Sequence, residues 1–212
     1  MRTQDQSSQA SLTPEGALDI LREGNRRFVE SRMAERDLLE QVRATSKGQY
    51  PFAVVLSCID SRVSAELVFD QGVGDIFSVR IAGNVLNEDI LGSMEFACHL
   101  AGSKLVVILG HSACGAVKGA CAGAELGHLT GLLEKIQPVI AAVGRADDAS
   151  DPAYVQKVVE ANVEHVLREL PARSEVLRSR IESGDLGLVG GIYSVATGEV
   201  EFGALYCGEL PK

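Results

Sequence analysis

The chain has 212 residues, of which 46% are hydrophobic, so it can bury a sizeable core as one domain. Its formal net charge of −9 argues against a general affinity for nucleic acid, which needs Lys and Arg to neutralise phosphates. No apolar run approaches the roughly 20 residues that span a bilayer. The opening MRTQDQSSQA lacks the apolar middle of a signal peptide, so the expected location is the cytoplasm. The 5 cysteines are an odd set, which favours reduced thiols over a disulfide framework.

In chain order, residues 1–12 are polar and read as a loose N-terminus. Thr13-Pro14-Glu15 opens a helix, with a capping hydroxyl, a proline at the first helical position and an acid facing the dipole. A charged second helix is expected at about 34–45, so 13–48 form a helical arm. Residues 49–212 then read as the α/β domain proper.

There, Phe52 to Leu56 is a short apolar run of the kind buried on both faces of a sheet. Ser64 can cap a short helix, Asp75 to Ile81 is a second strand, and Asn87 opens a helix that stops at Gly102. Lys104 to Leu109 is a third strand. Helices are expected at 115–122, 129–143, 152–169 and 172–183, and then a strand from Leu186 to Val195 turns at Ala196–Glu199 into an antiparallel partner, Val200 to Leu205. This alternation predicts an α/β fold: a mostly parallel central sheet flanked by helices, with an antiparallel edge hairpin and the N-terminal arm.

In such sheets, sites form beyond the carboxyl ends of strands. Two strand ends carry metal-ligand residue types, Cys58-Ile59-Asp60-Ser61-Arg62 and His111-Ser112-Ala113-Cys114. Zinc takes thiolate and imidazole ligands and keeps one position open when catalytic. Asp60 stands close enough in sequence to touch the same metal or its water, and Arg62 can hold that carboxylate in a bidentate pair. A lone Cys at a strand end is more often a small buried hydrophobe, which is also the reading for Cys98, Cys121 and Cys207. The combination, rather than any single residue, points to metal.

CIDSR at 58–62 with GHSACGAV at 110–117 resembles the CxDxR and HxxC motifs of the β-carbonic anhydrases. EGNRRF at 23–28 resembles that family's N-terminal helix, and RIAGN at 80–84 its RxAGN segment. The resemblance runs from about residue 15 to the final hairpin. It implies Zn2+ on Cys58, His111 and Cys114, and reversible hydration of CO2 to bicarbonate and a proton by zinc-bound hydroxide. Asp60 and Arg62 are then the catalytic dyad, with Asp60 taking the fourth metal site in a closed state. Gln49, Phe77, Ala82, Phe96 and Gly115 fall at the positions of the substrate pocket. Several of these come from a neighbouring subunit in the family, implying a homodimer or a dimer of dimers. Phe96 departs from the Tyr of many members. Val55 replaces a Trp of the inhibitory bicarbonate site, which implies the non-allosteric, type I-like subgroup. Two other readings use the same residues: hydrolysis of COS or CS2, and a non-catalytic zinc or redox-sensing module.

Overall fold

The structure is a computed structural model that describes residues 3–211; positions 1, 2 and 212, at the outer ends of the expected 1–12 and 49–212 segments, lie outside the described residues. A five-stranded sheet forms the middle layer, built from β1 (Ala53–Ser57), β2 (Ile76–Arg80), β3 (Leu105–His111), β4 (Gly187–Tyr193) and β5 (Val200–Tyr206). The strand order is β2-β1-β3-β4-β5, parallel throughout except for the β4–β5 hairpin. The chain leaves β1 toward β2 on one side and later places β3 on the other. That reversal opens a crevice at the carboxyl ends of β1 and β3, the usual place for a site in an open parallel sheet.

Both faces of the sheet are dry, which explains why β1 and β3 read as continuous apolar runs. One face presents Val54, Leu56, Val106, Ile108 and Leu188 to helices α5 (Glu88–Glu95), α9 (Pro152–Arg173) and α10 (Glu175–Glu182). The other presents Ala53, Val55, Val107, Leu109 and Val189 to Ala17, Leu18 and Leu21 of α2 (Pro14–Val29). Thr13 caps α2 as expected, its hydroxyl accepting from the Gly16 N–H at 3.1 Å. The helical arm therefore divides in two. Its first helix belongs to the core, whereas α3 (Leu38–Thr45) turns Leu38, Leu39 and Val42 outward. Among the described residues no helix is long and apolar enough to cross a membrane.

Several boundaries differ from expectation, each for a local reason. Within the polar opening, α1 (Gln6–Ser11) forms on a reciprocal capping box between Asp5 and Ser8. The amide of Gln9 also donates to the Pro51 and Ala101 carbonyls at 2.8 Å each. Ser64 does not cap the short α4 (Ala65–Val68) and instead donates to the Glu66 carboxylate. The helix expected over 129–143 breaks into α7 (Gly127–Leu133), a 3-10 turn and α8 (Gln137–Val143). Pro138, with no N–H to continue the ladder, accounts for that break. Pro171 lies inside the last turn of α9, and the break with α10 comes at Ser174, whose hydroxyl accepts from the Leu177 N–H at 3.2 Å.

One buried ion cluster ties the arm to the sheet. Asp70 is fully buried and left-handed at φ 47°, and it accepts hydrogen bonds from Arg27, Arg36 and the Ala34 N–H. Burial pushes its carboxyl up, but those three donors outweigh burial and hold it below its ordinary value. The stabilisation is thus present above the unfolded carboxylate pKa of about 4 and is lost as pH falls through the lower folded value. Replacing Asp70 with Ala leaves two guanidinium groups short of their partner. The expected cost is about 3–5 kcal/mol in urea unfolding at neutral pH; a loss under about 1 kcal/mol would contradict a structural role for the cluster.

Candidate metal centre

The β1–β3 register pairs Ser57 with Leu109, so Cys58 leaves its strand level with Gly110 and beside His111. The chain then turns tightly after β3. Ala113 takes a left-handed φ of 54°, and Cys114 directly precedes α6 (Gly115–Cys121) without a side-chain cap bond. This turn brings the thiol of Cys114 back over the imidazole. The donor atoms of Cys58, His111 and Cys114 all lie within 4.8 Å of one another, and all three residues are buried.

The donor set fits a tetrahedral metal. The two sulfurs are 4.0 Å apart and the thiols are free. Two sulfurs at about 2.3 Å from one tetrahedral zinc would stand about 3.8 Å apart. His111 Nδ1 donates to the Ser112 carbonyl at 3.0 Å, leaving Nε2 as the lone-pair nitrogen. Nε2 is buried and has no hydrogen-bond partner among the described residues. An orphaned imidazole nitrogen facing two thiols is a costly arrangement unless a cation joins them.

Electrostatics within the cluster point the same way. A hydrogen bond from Cys114, helped by His111 and the Gly83 N–H, pulls the Cys58 thiol down to about 4 despite burial. The same bond, with burial, pushes Cys114 up.

Asp60 and Arg62 stand at the rim. Arg62 donates through Nε to Oδ1 at 2.8 Å and through Nη2 to Oδ2 at 2.7 Å, and its backbone N–H reaches Oδ1 at 3.0 Å. Arg62 Nη2 also approaches the Ala113 carbonyl at 3.4 Å, joining the two loops. Arg80 braces the first loop from below, donating to the Cys58 and Asp60 carbonyls at 3.0 and 2.7 Å. That bracing was not legible in the sequence, where Arg80 was one letter of a motif.

The remaining expected site residues separate into two groups. Gly115 opens α6 directly after Cys114, and a Cβ there would meet nothing within 4 Å. Ala82 lies in the 3-10 turn Ala82–Asn84, whose Gly83 N–H donates to Cys58 Sγ at 3.4 Å. These two adjoin the metal ligands. Gln49, Phe77 and Phe96 do not. Gln49 precedes the amino end of β1, and Phe77 pairs with Val54 near that same end. At about 3.3 Å per residue, four residues of strand put Phe77 roughly 13 Å from the level of Cys58. Phe96 packs edge-on against Phe77 at 6.2 Å and is half exposed. Gly83 entered the sequence reading only within the RIAGN segment, and Asn162 did not enter it at all. Asn162 donates to the Gly83 carbonyl at 2.9 Å from 79 residues away, and no local pattern marks it.

The fold places this Cys-His-Cys cluster, a group that could hold a metal ion, at the switch point of an open α/β sheet. The carbonic anhydrase family model matches residues 53–200. Carbonic anhydrase 2 of Mycobacterium tuberculosis is 39% identical over 194 residues, covering 89% of this chain and 92% of that protein. The solved β-carbonic anhydrase CcaA is 31% identical, with a TM-score of 0.69 and coverage of 87% of this chain and 86% of that one. A Coccomyxa β-carbonic anhydrase in complex with acetazolamide gives 25% identity and a TM-score of 0.67, over 84% of this chain and 82% of that one. The chain belongs to the β-class carbonic anhydrases, a family of lyases.

The Arg62 side chain is the first cause that holds Asp60 well below the usual carboxylate range, against partial burial. Its ionised form therefore persists as pH falls, and the stability it contributes is lost only below the unfolded value of about 3.9. Carboxyl 13C NMR should find no Asp60 titration between about pH 4 and pH 9, and Arg62→Ala should raise the midpoint toward the ordinary carboxylate range. A wild-type midpoint at or above 4 would show that the pair does not hold in solution.

Proposed function

We propose that the chain catalyses the reversible hydration of CO2 to bicarbonate and a proton, with Zn2+ held by Cys58, His111 and Cys114. The observation that carries this reading is the convergence of two buried thiols and an orphaned imidazole nitrogen beside an ion-paired carboxylate. Zinc, when bound, supplies hydroxide at neutral pH by lowering the pKa of water to about 7, a magnitude measured in a carbonic anhydrase with three histidine ligands. Two thiolates pass more negative charge to the metal than imidazoles do, which moves that value upward.

The protein's own residues do the rest. An ionised Asp60 can only accept hydrogen bonds, so it fixes the proton of the attacking oxygen and turns a lone pair toward CO2. Arg62 keeps Asp60 ionised and occupies both of its oxygens, which holds the carboxylate away from the metal ligands. That bond opposes the reading as a non-catalytic module in which Asp60 fills the metal's fourth position. The backbone N–H of Gly115, a residue where an added Cβ would meet open space, is the donor for a substrate oxygen in this reading, and Ala82 is part of the pocket wall.

Gln49, Phe77 and Phe96 lie toward the opposite end of the strands, and a second protomer supplies them to this site in the assembly we propose. A homodimer would also cover the outward face of α3, where Leu39 is 66% exposed, and the half-exposed Phe96. Pairing of dimers would not change the site. Val55 is fully buried in β1, and the type I-like assignment that follows from it predicts activity retained near neutral pH. Five free cysteines suit a reducing compartment, and we place the enzyme in the cytoplasm.

Purified protein should carry about one zinc per chain, and stopped-flow assays from about pH 6.5 to 9 should show CO2 hydration without shutdown at the low end. Asp60→Asn should retain zinc while kcat/KM falls about 100-fold or more, since an amide also donates. Zinc-loaded wild type inactive on CO2 but active on COS or CS2 would transfer the assignment to that chemistry.

A further inference from the structure

The face of α9 turned toward the sheet and the metal centre is apolar, with Val155, Val158, Val159, Val163, Val166 and Leu167 all buried. Asn162 interrupts it, only 1% exposed. Its Nδ2 donates to the Gly83 carbonyl, while its Oδ1 has no partner among the described residues. Burying an amide oxygen without a partner opposes folding, and an aliphatic residue continuing the stripe would carry no such penalty. What Asn162 supplies that an aliphatic residue does not is a hold on Gly83.

That hold bears directly on a metal ligand. Gly83 sits at φ +68° in the Ala82–Asn84 turn, closed by the Asn84 N–H donating to the Ile81 carbonyl at 2.9 Å. A Cβ at Gly83 would come within 3.0 Å of Ile136 and 3.4 Å of Ala116, so the backbone itself fills this space. From this position the Gly83 N–H donates to Cys58 Sγ. A hydrogen bond to a thiolate withdraws charge from the sulfur and makes it a weaker donor to a metal.

We infer that Asn162 is a positioning residue of the metal centre: by fastening the Gly83 carbonyl it keeps the Gly83 N–H on the Cys58 sulfur, and so sets the charge this ligand passes to the metal. The inference rests on the proposed zinc reading. Without Asn162 the turn relaxes, the sulfur becomes more electron-rich, and the pH dependence of hydration moves to the alkaline side.

The test compares Asn162→Leu and the smaller Asn162→Ala with Val166→Ala, a buried change on the same helix in the apolar core shared with Leu56 and Ile108. Each protein is measured as the zinc enzyme and as its cobalt(II)-substituted form. Both Asn162 variants should keep about one zinc per chain. Their kcat/KM profiles should shift by about 0.5–1 pH unit to the alkaline side, the size of one hydrogen bond expressed as a pKa change. Their sulfur-to-cobalt charge-transfer band should move to longer wavelength. Val166→Ala should lower the thermal midpoint yet leave profile and band as in wild type. Unchanged band and profile in both Asn162 variants would overturn the inference, as would an equal shift in Val166→Ala, which would make the effect one of general loosening. Wild type without zinc would overturn this inference together with the proposed function, whereas zinc-replete, active wild type beside unshifted variants removes the inference alone.

Discussion

Everything at the metal centre depends on the parallel pairing of β1 with β3 in one particular register. With Ser57 level with Leu109, Cys58 emerges beside His111. A slip of one residue would turn each side chain of a strand to the other face of the sheet. Dry packing on both faces resists such a slip, because the alternating residues of β1 serve two different cores. The same reversal of strand order that places the ligands also leaves the crevice above them free of a crossing connection.

Around that register, the loops are held by charge-assisted hydrogen bonds as well as by apolar contact of Val63, Cys58 and Cys114. Arg62 ties the Asp60 carboxylate to the turn that carries Cys114, and Arg80 grips the carbonyls on either side of Ile59. Guanidinium groups suit this task because their fixed fork of donors sets direction as well as distance. The result is a loop whose backbone is pinned while one carboxylate remains ionised at the rim. Gly83 and Asn162 perform the matching task on the buried side, where an N–H reaches the sulfur.

The arrangement of the pocket residues has a simple geometric cause. A strand has two ends, and one chain cannot bring residues from both ends to the same point. Gln49 and Phe77 lie toward the amino end, and Cys58 and His111 lie at the carboxyl end. A site that uses both groups, as we propose, needs two copies of the chain. The outward apolar residues of α3 are what such an assembly would bury.

The sequence by itself determined the fold class, the strands and the Cys58, His111 and Cys114 group that could hold a metal ion. Buried parallel strands write themselves as uninterrupted β-branched runs, and thiol, imidazole and carboxylate types at strand ends are local facts. Helix ends were less legible, because Pro138 and Pro171 act through neighbours that a pattern does not specify, and Asp5 with Ser8 stabilise a short helix in a stretch without apolar periodicity. Only the tertiary structure decided which polar residues brace the site. Arg80, Gly83 and Asn162 act through backbone carbonyls and amides, and at a separation of 79 positions the sequence carries no trace of the bond between Gly83 and Asn162. A side chain's chemistry is inherent in its identity, but its partner is chosen by packing.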